Sequence, residues 1–441
     1  MIILALGTNL GNRMHNLHIA VDKLAKFITS IKTSAVFETK AMLPDNAPPS
    51  WDINYYNMVL SCDTKLDPRE LLAAVKSIEK QMGREDGARW APRIIDIDIL
   101  FYNDVFIESE DLHIPHKEVL NRDFVILPLM QIAPNLKFTG HNNVYGHTLT
   151  QIFNGLQNFQ SSFKRSIPFD PKLMGIVNIT PDSFSDGGQF VRADDAVTHA
   201  LHLYKAGAFY IDFGAQSTNP RSMLIDQEEE FARLDDVISG FISEVGVEAA
   251  KHCISVDSFS AAVLIKLLSK YKVSVVNDQS AGRNQAIIAS VADARTKYVA
   301  MHSIDLPTSQ KYLLSHYIPA HKQLISWSIG KIEELLEQGL HLDNIILDPG
   351  IGFGKSPIQS IDILKNVAAF KYLGCDVLIG HSRKSYHGVY TIAEPAKRDT
   401  ETAVEAAVIS SYADVIRVHN VRKAQKSIMA FDAINKFYSL S

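Results

Sequence analysis

Cysteine is scarce: Cys62, Cys253 and Cys375 are the three in 441 residues. An odd number at wide separation offers neither a disulfide framework nor the paired spacing of a zinc or redox site. Free thiols in a reducing cytoplasm are the simplest account, so a cytoplasmic protein is expected. No charge of one sign dominates. Lys and Arg number 44 against 49 Asp and Glu, a formal net charge of −5, with both signs mixed along the chain. That leaves no global basic footprint for nucleic acid. No apolar run approaches the length of a membrane span. The opening Met1-Ile2-Ile3-Leu4-Ala5-Leu6 reads as a strand, without the basic start and small-residue cleavage site of a signal peptide. Low-complexity segments are missing, and so is the GxxxxGK[ST] loop of P-loop enzymes. What is present is 46% hydrophobic residues at a mean hydropathy near zero, the make-up of a soluble globular protein. The length calls for two or more domains.

From about residue 172 a pattern recurs. Short apolar runs each end in a polar residue capable of chemistry. Leu173–Val177 ends at Asn178, Tyr210-Ile211 at Asp212, Ile254–Val256 at Asp257, and Val273–Val276 at Asn277-Asp278. Val299–Met301 ends at His302, Ile345–Leu347 at Asp348, Val377–Ile379 at His381-Ser382, and Val415-Ile416 leads into Arg417-Val418-His419. Continuous β-branched runs read as strands buried on both faces, hence parallel. Eight such units, with helix-like stretches between, have the count and size of an α/β (β/α)8 TIM barrel, whose chemistry sits at the C-terminal strand ends.

The earlier part is ordered differently. Residues 2–6 read as a strand, 14–29 as a helix, 31–38 and 58–62 as strands, and 94–101 as another strand. The clearest helix is 68–82. Asp67 suits the N-cap, Pro68 the first position, Glu70 completes a capping box, and Gly83 suits the residue past the end. Mixed strands and helices with long loops predict an α+β domain, of ferredoxin-like sandwich type. The polar stretch 154–170 is the best linker, so the expected division is 1–160, a linker over 161–170, and 171–441.

Within the first part, Arg93-Ile94-Ile95-Asp96-Ile97-Asp98-Ile99-Leu100 alternates with period two. Asp96 and Asp98 therefore share one strand face, with isoleucines on the other. Adjacent carboxylates repel, and a shared divalent cation resolves this; one or two carboxylates plus phosphates is the usual Mg²⁺ arrangement. A solvated acidic edge is the bland alternative. Arg84, Arg89, Arg93, His116 and Arg122 lie near the pair in sequence, and arginine forks suit phosphate oxygens, which favours a polyphosphate site.

The segment Gly83-Arg84…Arg89-Trp90-Ala91-Pro92-Arg93-Ile94-Ile95-Asp96-Ile97-Asp98 resembles the signature of the 6-hydroxymethyl-7,8-dihydropterin pyrophosphokinases. So do Leu6-Gly7-Thr8-Asn9-Leu10-Gly11, Tyr55-Tyr56-Asn57 and Ile114-Pro115-His116…Asn121-Arg122-Asp123-Phe124, over about residues 1–160. The resemblance implies that Asp96 and Asp98 hold two Mg²⁺ ions bridging the ATP phosphates. Arg84 and Arg93 are then catalytic, stabilising the transferring group. Glu79, Arg84, Arg89, Trp90, His116 and Arg122 bind ATP, and Tyr55, Asn57 and Phe124 bind the pterin. Ala91 replaces a usual glycine, and the loop between Arg84 and Arg89 is short and acidic.

In the second part, any one strand-end aspartate is often only a helix cap. Eight polar ends around one mouth are harder to explain so, and can converge on a single ligand. Asp257, Asn277 and Asp348 suit the amino and ring N–H groups of a pterin. Arg417, His419 and Asn178 suit an anion, with Lys384 a further cation. Met174–Gly188, Asp212–Thr218, Leu347–Lys355, Ser382–Ser385 and Arg417–His419 resemble successive signatures of the dihydropteroate synthases, over about 171–441. That resemblance implies condensation of dihydropterin pyrophosphate with p-aminobenzoate. Asn178 would bind one Mg²⁺ on the pyrophosphate. Asp257, Asn277, Met301, Asp348 and Lys384 would hold the pterin, and Thr218, Arg417 and His419 the pyrophosphate. Phe353 and Ser382 would flank p-aminobenzoate, with Lys384, Arg417 and His419 catalytic. Gln216 stands where Glu is usual, Asn219-Pro220-Arg221 where Arg-Pro-Gly is usual, and Asn420 where Asp is common.

Together the two resemblances imply a bifunctional folate-pathway enzyme using ATP, hydroxymethyldihydropterin and p-aminobenzoate, with sulfonamides as mimics of the last. No nucleic-acid or membrane partner is expected, and dimerisation through the barrel helices is a family expectation. Two alternatives stay open at this point: a methyltetrahydrofolate-type methyltransferase barrel, and a pterin-binding scaffold behind an active kinase.

Overall fold

The computed structural model describes residues 1–84, 90–119, 122–133, 136–137, 149, 163–179, 193–216, 225–304 and 313–437. The chain divides into two compact units, Met1–Phe169 and Asp170–Ser441.

In the first unit, β1 (Ile2–Thr8), β2 (Ile28–Thr33), β3 (Val36–Thr39), β4 (Tyr55–Thr64), β5 (Asp96–Tyr102) and β8 (Phe163–Ile167) form one antiparallel sheet. Its order is β5-β1-β4-β3-β8, with β2 also on β4, while β6 (Ile107–Glu108) and β7 (His113–Ile114) form a small hairpin. This is an α+β unit. The helix Asp123–Ile132 packs Val125, Leu129 and Ile132 against Ile3, Val59 and Phe101. The helices Arg13–Leu24 and Pro68–Gln81 lie on β1 and β5 and on each other.

Helix 68–81 starts as its sequence dictates. The Asp67 carboxylate accepts from the N–H groups of Arg69 and Glu70, and Glu70 closes the box on the N–H of Asp67. Leu71, Val75 and Ile78 are buried along one stripe. Gly83, at φ +88°, takes the left-handed position past its end.

Two expectations are corrected. The helix expected over 14–29 ends at Leu24, and Ile28–Thr33 pairs with β4 instead. A run holding Ile28, Thr29, Ile31 and Thr33 suits an extended backbone, and a register shift between Thr29 and Lys32 with Ser30 at φ +54° fits it to β4. The structure also departs from the linker expected over 161–170, since Phe163–Ile167 is the sheet's outer strand beside β3.

In the second unit, eight strands close a parallel barrel: β9 (Lys172–Asn178), β10 (Tyr210–Gly214), β11 (Ile254–Asp257), β12 (Val275–Asp278), β13 (Lys297–Met301), β14 (Ile345–Asp348), β15 (Asp376–Ile379) and β16 (Val415–Val418), with β16 back on β9. Met174, Tyr210, Val275, Val299, Ile346, Leu378 and Val415 pack together as one buried cluster contributed by seven of these strands. The surrounding helices bury a larger apolar shell on the strands. The polar strand ends Asn178, Asp257, Asn277-Asp278, Asp348 and Arg417 all fall at the C-terminal side of this barrel, where function gathers in this fold.

Candidate active sites

The first site is a cleft of about 280 Å³ in the first unit. Strand β5 sets its floor. Ile95, Ile97 and Ile99 are buried, while the Asp96 and Asp98 side chains keep 29% and 30% of their exposure, as period two requires. Around them stand cations. Arg84 reaches Asp96 at 2.6 Å and Arg93 reaches its other oxygen at 3.1 Å. Arg122 lies 3.5 Å from Asp98, with His116 at 4.0 Å. Loss of water and the neighbouring Asp96 charge raise the pKa of Asp98, with Arg122 opposing. Burial and the Arg122 charge push the His116 imidazole down to about 4, which keeps it neutral at physiological pH.

Tyr55, Asn57, Trp90 and Phe124 also line the cleft. The Asn57 amide donates to Thr39 at 2.9 Å, which fixes its orientation. Asn9 ties the Arg93 backbone from both sides, accepting its N–H at 2.7 Å and donating its own N–H to the Arg93 carbonyl. The cleft thus combines two hard carboxylates, arginine forks and an aromatic-amide wall. Among the described residues no three His, Cys, Asp or Glu side chains gather as a metal cage. Two carboxylates that leave the remaining positions to phosphate and water fit Mg²⁺, which binds in that way.

The structure gives Glu79 a different place from the one expected. It is 1% exposed; one oxygen accepts the Ile97 N–H at 2.7 Å and also pairs with Arg84, and the other pairs with Lys76. An anion so placed braces Arg84 and β5, and Glu79 is not among the residues that line the cleft. Arg89 lies outside the described residues.

The second site is the barrel mouth. Arg417 Nε donates to Asp212 at 2.6 Å, and its Nη2 to Asp257 at 2.8 Å. Asp212 also accepts from Asn277 at 3.0 Å and from the Ser255 hydroxyl at 2.5 Å. Asp257 takes a further bond from Gln279 at 2.8 Å, and Asp348 one from the Gly350 N–H at 2.7 Å. Lys384 Nζ sits 4.1 Å from the centre of the Phe353 ring. Ser382 Oγ lies 2.9 Å from His419 Nδ1. Asn178 is exposed at the end of β9, and Met301 is buried at the end of β13.

Burial governs the charges here. It raises Asp257 to about 7, with Arg417 opposing and Asp212 adding to the rise. It also raises Asp348. Desolvation and the nearby Arg417 bring Lys384 down to about 8, and burial with Arg383 brings His419 down to about 3. Arg417 is raised despite its burial, because Asp212 and Asp257 outweigh desolvation.

Arg417 pairs with Asp212 and Asp257, and His419 with Ser382, while the Arg417 charge still reaches the His419 ring. Thr218, Arg221, Asn219-Pro220 and the 180–188 stretch lie outside the described residues. Gln216 is described. Its amide donates to the Ile225 carbonyl at 3.1 Å and accepts the Ile225 N–H at 3.2 Å, a pairing a glutamate could only half reproduce. Sequence reasoning gave no role to Asp212, Gln279 or Lys355. Asp212 stood out as a strand end, but its partners lie far along the chain.

Two parts define the class: a cleft of paired carboxylates and arginines on an α+β sheet, and a ring of buried polar strand ends at the mouth of a parallel barrel. The family model of the 7,8-dihydro-6-hydroxymethylpterin-pyrophosphokinases matches residues 3–134, and that of the pterin binding enzymes matches residues 174–419. The chain is 36% identical over 435 residues to the folate synthesis bifunctional protein of Chlamydia caviae, covering 97% of each. Dihydropteroate synthase from Anaplasma phagocytophilum, solved with bound 6-hydroxymethylpterin-monophosphate, is 33% identical, with a TM-score of 0.54 over 60% of this chain and 99% of that one. The Xanthomonas albilineans dihydropteroate synthase with 4-aminobenzoic acid is 30% identical at a TM-score of 0.55, over 62% of this chain and 96% of that one. The chain belongs to the bifunctional folate-synthesis enzymes, a pyrophosphokinase followed by a dihydropteroate synthase. The methyltransferase and scaffold alternatives are not favoured.

Proposed function

We propose that the two sites perform consecutive steps and that their residues divide the work as follows. In the cleft, the hydroxymethyl oxygen of 6-hydroxymethyl-7,8-dihydropterin attacks the β-phosphorus of ATP and AMP leaves. Tyr55, Asn57 and Phe124 hold the pterin. Trp90, Arg89, His116 and Arg122 hold ATP, and Arg84 and Arg93 face the charge of the transferring group. Asp96 and Asp98 would hold two Mg²⁺ ions, which neutralise phosphate charge when bound. The observation that carries this reading is the pair of carboxylates on one face of β5 with an arginine on each side.

In the barrel, the bond between the pterin's exocyclic carbon and the pyrophosphate oxygen breaks. The amine nitrogen of p-aminobenzoate bonds to that carbon and loses a proton. Asp257, Asn277, Met301 and Asp348 hold the pterin. Thr218, Arg417 and His419 hold the leaving pyrophosphate, with Asn178 contributing to one Mg²⁺ there. Phe353, Ser382 and Lys384 flank the amine. A lone amide at Asn178 fits a metal that takes its other oxygens from the pyrophosphate and water.

One reaction tests both halves: protein, Mg-ATP, hydroxymethyldihydropterin and p-aminobenzoate, followed for AMP and dihydropteroate. Both products are expected, and chelation with EDTA abolishes AMP release. AMP without dihydropteroate, repeated with supplied dihydropterin pyrophosphate, overturns the barrel assignment.

The barrel is also proposed to pair with a second copy. Val404, Val408 and Tyr412 recur at four-residue spacing on and just past the helix Asp399–Ile409, and are 56%, 56% and 49% exposed. An apolar stripe of this kind suits burial against its like. Light scattering should give about twice the chain mass, and Val404→Glu with Val408→Glu should return it to one. A cytoplasmic location fits three cysteines that are free and buried. No described helix is long and apolar enough to cross a membrane.

A further inference from the structure

Lys355 is the most enclosed cation near the barrel mouth that the reading above leaves without a task. Its side chain is buried, the residue being 6% exposed. Nζ meets three acceptors: His302 Nδ1 at 2.8 Å, the His302 carbonyl at 3.1 Å and the Phe353 carbonyl at 2.8 Å. An ammonium has three N–H bonds, and here each has one partner. Two of those partners belong to the end of β13 and the third to the loop after β14. The lysine therefore joins two barrel units.

The loop approaches His302 as closely as a chain can. Gly350 stands at φ +67°, and a Cβ there would fall 2.0 Å from the His302 carbonyl oxygen. The His302 N–H in turn donates to the Asp348 carbonyl at 2.9 Å, and its ring is held edge-on to Trp327 at 4.9 Å. His302 is thus an anchored post, and Lys355 pulls the Phe353 backbone onto it. The Phe353 ring is the face that Lys384 Nζ covers at 4.1 Å. The proposed pterin ligands take their hydrogen bonds from other groups, although Asp348 also feels the Lys355 charge. Asp257 is fixed by Arg417 and Gln279, Asn277 by Asp212, and Asp348 by the Gly350 N–H.

We propose that Lys355 is a positioning residue that pins Phe353 in place beside Lys384, and so sets how well the barrel binds its aromatic amine, without touching substrate itself. This rests on the reading of Phe353 as part of the amine subsite. Loss of the clamp lets the ring drift while the pterin end stays in register, and misplacement by about 1 Å is enough to cost on the order of 10²-fold.

The experiment measures KM for p-aminobenzoate, affinity for a sulfonamide, and affinity for dihydropterin pyrophosphate in the full chain carrying Lys355→Met, Phe353→Leu, or both. The expected result for Lys355→Met is a rise of about ten-fold or more in the amine KM and a parallel loss of sulfonamide affinity, with a clearly smaller loss of pterin affinity. Phe353→Leu gives a similar rise, and the double variant adds little to it, since the two act through one contact. Equal losses for both substrates would mean general damage, and an unchanged amine KM in Lys355→Met alone would mean no clamp; either overturns the proposal. If Phe353→Leu leaves the amine KM unchanged, the subsite reading fails instead. Should Lys355→Met not fold, His302→Asn keeps the backbone acceptor and removes the ring acceptor. It should raise the amine KM by a smaller factor, and no rise there overturns the clamp.

Discussion

Asp212 has no solvent exposure, yet both its oxygens are engaged, by Ser255, Asn277 and Arg417. One carboxylate thereby orients the amide proposed for the pterin and the guanidinium proposed for the pyrophosphate. Asp212→Asn keeps the shape and removes the charge. It leaves Arg417 with Asp257 as its remaining carboxylate partner, so dihydropteroate formation should fall by about 10²-fold while AMP release is unchanged. The same substitution has a pH signature. Asp212 helps to hold Asp257 up near 7, so its neutralisation lowers the Asp257 pKa. The acid side of the synthase pH profile should then move to lower pH, and a profile of unchanged shape would mean that Asp257 ionisation does not limit the reaction. The sequence made residues of this kind legible only where spacing was local. Asp96 and Asp98 share a face because a strand has period two. Nothing in spacing tells that Asp212 meets a residue 205 positions away. The bracing role of Glu79 was hidden for the same reason, its partner Ile97 lying on another element.

Elements were legible where their ends carry their own chemistry. Helix 68–81 has its cap, its first-turn proline and its terminal glycine within the segment itself, so the expected and observed bounds differ by one residue. Removing the cap should show. Asp67→Ala forfeits two bonds from the Arg69 and Glu70 N–H groups and should destabilise the first unit by about 1 kcal/mol, read as a lower denaturation midpoint for that unit. No change would mean that tertiary packing alone holds the helix start. The segment 14–29 shows the converse. Its apolar residues continue past Leu24, so periodicity runs on, but the chain turns because β4 offers Ile28 and Lys32 a ladder that no local signal announces. The barrel strands were read well because each is a β-branched run bounded by a polar end. Their closure, β16 back onto β9, follows from the count of eight.

For the whole molecule, the sequence marked two domains and their order. It set the first boundary at residue 160, in polar composition, whereas the contacts divide the chain after Phe169. The intervening Phe163–Ile167 pairs with β3, from Val36 with Ile167 to Thr39 with Phe163, partners far apart in sequence that composition does not reveal. A first half ending at 169 should be monodisperse and release AMP. One ending at 160 should be poorly soluble, by turbidity and size exclusion, and similar behaviour of the two would mean the outer strand is dispensable. The reason lies in what β8 covers. Without it, Val36–Thr39 lose the backbone partners they have in the folded unit, and β3 becomes a new edge open to a strand of some other chain. The last strand of the kinase half therefore belongs to that half's own sheet, and anyone separating the two activities must leave it with the half that comes first.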